Sequence, residues 1–260
     1  MFKILKYSFY DLARSRWSYI YFLFYLVLAF VLLFLNNDLS KAVITLMNVI
    51  IVLVPLIGTI FGVMYYYSSR EFTELLLAQP IKRNSIFLGQ YLGVSISLSL
   101  SLLLGIGVPF GVYGLFHSAA IWDFSLLLVT GVFLTFIFVA LAFNISLNNE
   151  NKIKGFGYAV LMWLFLAVIY DGIFLLSLIY FEDYPLDKLS LLGTMLNPVD
   201  LSRTLILLKL DISALLGYTG AVFKQFFGTN LGLFISIGVL FLWTIVPTFM
   251  ILKKSEKKDF

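Results

Sequence analysis

Six stretches of this chain, near residues 18–35, 42–67, 85–116, 124–147, 156–181 and 231–252, are apolar over a length that matches the hydrocarbon core of a bilayer. A helix needs about 20 apolar residues to cross the roughly 30 Å of that core. Lipid offers no hydrogen bonds to an open backbone, so each stretch must satisfy its own N–H and C=O groups as a helix. The third stretch tests the rule, because Ser95, Ser97, Ser99 and Ser101 alternate with apolar residues as they would in a strand. Its length in lipid decides for helix. The chain is therefore read as an all-α integral membrane protein, six transmembrane helices in one domain over residues 1–260. With 61% of residues hydrophobic and 12% charged, it has too little polar surface to cover a soluble globule.

Positive charge assigns the sides. Lys3, Lys6, Arg14, Arg16, Arg70, Lys82, Arg83, Lys152, Lys154, Lys253, Lys254, Lys257 and Lys258 fall on one side of a six-span chain, 13 of the 18 cations. Lys41, Lys188, Arg203, Lys209 and Lys224 fall on the other. The excess marks the cytoplasmic face, which places both termini inside and residues 182–230 outside; the family resemblance given below implies that the membrane is a bacterial inner membrane. Residues 1–17 read as an amphipathic helix lying in the headgroup plane, with Leu5, Phe9, Leu12 and Ala13 on one arc and Lys3, Lys6, Asp11 and Arg14 on the other.

Residues 68–93 form the longest interior break among the first five spans, and they carry both charge and leucine. Arg70, Glu71, Glu74, Lys82 and Arg83 keep the stretch out of hydrocarbon, while Phe72, Leu75, Leu76 and Leu77 make it too apolar for a solvated loop. Ser68 and Glu71 fit a capping box, and Pro80 stops a helix at Gln79. A short helix over 69–79 is expected, roughly 16 Å long at about 1.5 Å per residue. Burying one leucine is worth about 1.5–3 kcal/mol, so the run calls for a cover, either the bundle itself or a partner.

Three further features stand out along the chain. Gly89, Gly93, Ser97, Ser101 and Gly105 recur every four residues, a small-residue ridge suited to close helix packing within one subunit or between two. Asp171 is an acidic residue deep in span 5 with no Lys or Arg at matching depth in the other spans. It is expected to be protonated, hydrogen-bonded or turned to a wet cavity, and is a functional candidate on that ground. In residues 182–230, short helices at the outer surface are expected, with Asn197 capping a helix that has Pro198 in its first turn, or Asp200 capping a later one.

The run Arg70-Glu71-Phe72 through Leu75-Leu76-Leu77-Ala78-Gln79-Pro80, then Arg83 and Leu88-Gly89-x-Tyr91-Leu92-Gly93, resembles the coupling loop of ABC-2-type permeases. Asn197-Pro198-x-Asp200-x-x-Arg203 and Gly217-x-x-Gly220 are similar, within that group, to the NosY family of nitrous oxide reductase maturation. The resemblance implies a homodimeric permease that engages a cytoplasmic ABC ATPase of the NosF type and a periplasmic partner of the NosD type. It also implies a role in supplying copper or sulfur species. Glu71, Glu74 and Arg83 would then be polar contacts to the ATPase, with Phe72, Leu75 and Leu76 as apolar anchors. Asn197, Asp200 and Arg203 would face the outer partner.

The sequence narrows the chemistry further. A phosphate-cradling G-x-x-x-x-G-K-[ST] run is missing, so ATP belongs to the partner subunit, and this chain is expected to bind no cofactor of its own and to be no enzyme. With no cysteine, one histidine (His117) and six scattered methionines, its ligand set suits transmission of force better than passage of bare copper. Two other readings remain at this point: an ABC-2 exporter of lipid, drug or polysaccharide, and a six-span channel or membrane enzyme using Asp171.

Overall fold

A computed structural model describes residues 1–36, 39–115, 118, 121–181, 187–209 and 229–257, and all regular structure among them is helical. In chain order the helices are α1 (Phe2–Ala13), α2 (Arg16–Leu35), α3 (Leu39–Ser68), α4 (Arg70–Leu77), α5 (Arg83–Val112) and α6 (Ile121–Asn148). After these come α7 (Lys152–Leu164), a π-helical turn (Phe165–Ile169), α8 (Tyr170–Tyr180), α9 (Asp187–Met195), α10 (Pro198–Lys209) and α11 (Asn230–Lys257). Six segments are long and apolar enough to cross a membrane: α2, residues 41–68 of α3, α5, α6, the α7–α8 run and residues 231–256 of α11. The six expected spans are all present.

The ridge on α5 seats the N-terminal helices of the same chain. A Cβ on Gly89 would lie 3.0 Å from Ile4 Cγ2, and one on Gly93 would lie 2.6 Å from Ser8 Cβ. Farther along, Ser18 and Ser101 hydroxyls share a hydrogen bond of 3.4 Å, and a Cβ on Gly105 would lie 2.9 Å from Tyr25 Cβ. Position rises together on both sides, so α1 and then α2 run along α5 in its own direction, and α1 does not lie across it in the headgroup plane as expected, because the glycine seat on α5 aligns it. The buried stripe of α1 is Ile4, Ser8 and Leu12. It is rotated slightly from the Leu5, Phe9, Leu12 and Ala13 arc because the glycines of α5, rather than lipid, define the seat.

On its other side α5 meets α6 and α11. Tyr91 donates to the Phe136 carbonyl (3.3 Å) and accepts from Thr248 Oγ1 (3.2 Å), tying three spans at one phenol. Thr130 and Thr135 bond back within α6, whereas Asn144 crosses to the Pro247 carbonyl (2.7 Å) of α11. Helix α3 packs on α6 with Gly62 against Ala142 and Val139. The Trp163 indole donates to the Val52 carbonyl (3.3 Å), next to the Ile51 carbonyl that Pro55 deprives of its helical partner.

Several chain segments meet at one end of the bundle. Tyr67 donates to the Asn149 carbonyl (2.7 Å), and Asn84 donates to Glu256 (2.7 Å) while accepting from Ser255. The 68–83, 148–152 and 253–257 regions therefore share a side with the start of α1. That is the cation-rich side; Lys258 lies outside the described residues, as do His117, Asp211, Gly217, Gly220 and Lys224.

Residues 187–209, the described part of the segment between spans 5 and 6, depart from expectation. Instead of lying on the outer surface, α10 is buried among α3, α6 and α11, with Val199, Leu201, Leu205 and Ile206 in the core. The α9–α10 junction touches Leu166 and Trp243, each close to the midpoint of its span. The two helices thus form a re-entrant hairpin. Arg203, Lys209 and the charges after it argue against a crossing, but a helix can enter halfway and turn back where protein, not lipid, covers its open backbone.

Gly93→Leu should lower stability by about 1–3 kcal/mol by lifting α1 off α5. The check is the thermal midpoint of the purified chain in detergent. Gly107→Ala, on the same helix with no atom within 4 Å of the added Cβ, should leave the midpoint unchanged or raised.

Candidate functional site

The α4 end of the bundle holds the residues expected at an ATPase contact. Helix α4 is shorter than the expected 69–79, and the capping box does not form. Ser68 is the last residue of α3 and donates to the Tyr65 carbonyl (3.2 Å), while Ser69 takes the N-cap position without a side-chain cap. The long apolar helix before it simply continues one residue farther and claims that hydroxyl.

One face of α4 is anchored to this chain. Thr73 is buried, accepting from Gln90 Nε2 (2.8 Å) on α5 and donating to the Ser69 carbonyl (2.8 Å). Phe72 stacks on Tyr7 of α1 with ring centroids 4.5 Å apart. Phe72 is thus half-buried as an internal anchor, not a free one. The opposite face is open: Glu71 and Glu74 are exposed, Leu75 is 68% exposed, and Leu76 is half-buried. Arg70 and Glu74 pair at 3.0 Å, one turn apart on the exposed surface. Arg83 begins α5 with its side chain exposed. Sequence reasoning missed the Thr73–Gln90 and Tyr7–Phe72 contacts, although a threonine and a glutamine flanked by apolar residues were the available signal.

A second polar site lies at the tip of the re-entrant hairpin. Asp171, without an expected partner, is ion-paired with Arg203 at 2.6 Å. The partner was missed because it comes from the segment between spans, which folds back to the depth of span 5. Arg203 also lies 3.6 Å from Asp200, so two carboxylates share one guanidinium. Asn197 completes the cluster: its amide donates to the Leu166 carbonyl (2.7 Å) and to Asp200 (2.9 Å), and its oxygen accepts from the Val199 N–H (3.1 Å). It is the helix cap with Pro198 behind it, as the residue order suggested.

The cluster meets span 5 at its π-turn. The Leu166 carbonyl that accepts from Asn197 belongs to this wider turn, and such turns occur often at functional sites. Nearby, Tyr170 donates to the Gly193 carbonyl (2.7 Å) and the Trp243 indole to the Met195 carbonyl (3.2 Å). Asn197 is fully buried and Asp200 7% exposed. These two therefore face inward rather than toward an outer partner, and Arg203 is held between the carboxylates with 29% of its side chain exposed.

Among the described residues no group of three or more His, Cys, Asp and Glu is arranged to hold a metal ion. No family model matches the chain. A curated relative from Stutzerimonas stutzeri, named a probable ABC transporter permease protein NosY, is 25% identical over 134 residues. Its namesake in Pseudomonas aeruginosa is 27% identical over 149 residues. The chain is similar to ABC transporter permeases named NosY. The matches cover 50% and 54% of this chain and 49% and 53% of the relatives, so the chain spans about half the length of the curated relatives it matches.

Arg203→Ala should strand two carboxylates and cost about 2 kcal/mol, more than Asp171→Asn, which keeps an acceptor for the guanidinium. Thermal midpoints of the two variants, measured side by side, check the order.

Proposed function

We propose that this chain is the permease subunit of an ABC transporter, driven by a separate cytoplasmic ATPase that carries the nucleotide, and that it is itself no enzyme. The similarity to permeases named NosY supports the class. The observation that carries the mechanism is the two-sided character of α4, which is fastened to α1 and α5 on one face and presents Glu71, Glu74 and Leu75 on the other. A partner that pushes the open face moves α5 through the Thr73–Gln90 bond and α1 through the Tyr7–Phe72 stack. Helix α3 joins α4 directly, so spans 2 and 3 tilt with it.

Both termini and α4 lie in the cytoplasm on this reading, and residues 182–230 belong to the outer half. Two copies of the chain act together, each with its own ATPase. The finer role follows the resemblance: work delivered to a periplasmic partner of the NosD type, with an ATPase of the NosF type, in copper or sulfur supply to nitrous oxide reductase. Lacking cysteine, the chain transmits force rather than conducting bare copper, and a copper ion bound within the spans of the purified dimer would contradict that. Ion pairing of Asp171 with Arg203 favours a fixed structural carboxylate over a free acid of an enzyme or channel.

Purification from native membranes in mild detergent, with mass spectrometry of what accompanies the chain, is the test. An ABC ATPase should accompany the wild type. Leu75→Asp should weaken that association at least about tenfold, a loss of about 1.4 kcal/mol, with the thermal midpoint of the chain unchanged. Absence of an ATPase from the wild type, or full retention by Leu75→Asp, overturns the assignment.

A further inference from the structure

We infer that the outward face of α1 and the turn into α2 form a binding surface for anionic phospholipid headgroups. With Ile4, Ser8 and Leu12 turned to α5, the 100° spacing of a helix carries Lys3, Lys6, Tyr10 and Arg14 to the opposite side. All four are exposed, and the Arg14 guanidinium lies 5.8 Å from the Tyr10 ring centre. Arg16 and Trp17 continue the surface into α2, also exposed. Lys3, Lys6, Arg14 and Arg16 pair with no carboxylate among the described residues, and Asp11 is the one acid on α1.

Depth selects the ligand. Leu100, Leu104, Val108 and Val112 form the exposed apolar row of α5, spaced by one turn each, and mark where hydrocarbon meets this helix. Helix α1 covers α5 at Gly89 and Gly93, before that row begins, and Ser18 of α2 meets Ser101 just inside it. The cations therefore lie on the cation-rich side of that row, strung along α5 from Lys3 farthest out to Arg16 nearest the hydrocarbon, and the exposed rings of Trp17 and Tyr19 follow at the boundary, where aromatic anchors prefer to lie. A cationic face at that depth meets lipid phosphate before it meets a soluble protein. Each Lys or Arg near an anionic surface strengthens binding about fivefold. Because Tyr7 stacks on Phe72, bound lipid also steadies the helix that α4 leans on.

The test uses the purified full chain in zwitterionic detergent, titrated with phosphatidylglycerol, phosphatidylcholine or free glycerol phosphate. Phosphatidylglycerol should raise the thermal midpoint by about 5 °C, and the other two should not. Replacing Lys3, Lys6, Arg14 and Arg16 together by Gln should weaken phosphatidylglycerol binding about 100-fold or more in native mass spectrometry. Lys152→Gln with Lys154→Gln, which removes two other exposed cations of the same end, should leave binding intact. If the fourfold variant does not fold, Lys3→Gln with Lys6→Gln should lose about 25-fold. Equal response to phosphatidylcholine, full response to glycerol phosphate, or undiminished binding by the variants overturns the proposal. So does a face that binds no phosphatidylglycerol but whose loss releases the accompanying ATPase.

Discussion

Close approach of backbones along α5 is the contact on which the bundle depends. Where Gly89 and Gly93 replace side chains by hydrogen, α1 comes near enough that a single added carbon would overlap Ser8. Lipid tails are as apolar as leucine, so helices in a membrane gain little by hiding leucine from them and much by tight van der Waals contact. That contact holds α1 in place, α1 supports Phe72 through Tyr7, and Phe72 with Thr73 fixes the orientation of α4. The open face of α4 is thus set, through α1, by glycines of the helix to which Thr73 is bonded.

Span number, span type and the position of α4 were legible in the sequence because each rests on a strong local signal. Hydrocarbon thickness fixes span length, and charge fixes the interruptions. The small-residue ridge was legible as a packing surface, but its occupant was not, since a four-residue repeat says nothing about which helix fills it. The cap of α4 was misread for a related reason: Ser68 and Ser69 are chemically equivalent, and only the end of α3 decides which of them starts the next helix.

The Asp171 cluster was illegible for a different reason. Its members are 32 residues apart in the closest ion pair, and one of them lies in a segment whose charges argue for the surface. Sequence-local reasoning assigned Arg203 to the outside because a charged helix costs too much in lipid. The protein avoids that cost by bringing Arg203 in beside two acids and burying the helix in protein on its other faces. Nothing in residues 165–169 signals a π-turn, since Phe, Leu, Ala, Val and Ile suit an ordinary helix equally well.

The re-entrant hairpin has a consequence for how the protein holds together. At its tip, the carbonyls of Gly193 and Met195 are satisfied by donors from Tyr170 and Trp243, and the second of these comes from α11. Without α11, residues 187–209 have no complete set of partners. Their place at mid-depth therefore depends on α11 being docked beside them, which joins the hairpin and α11 in one cooperative unit.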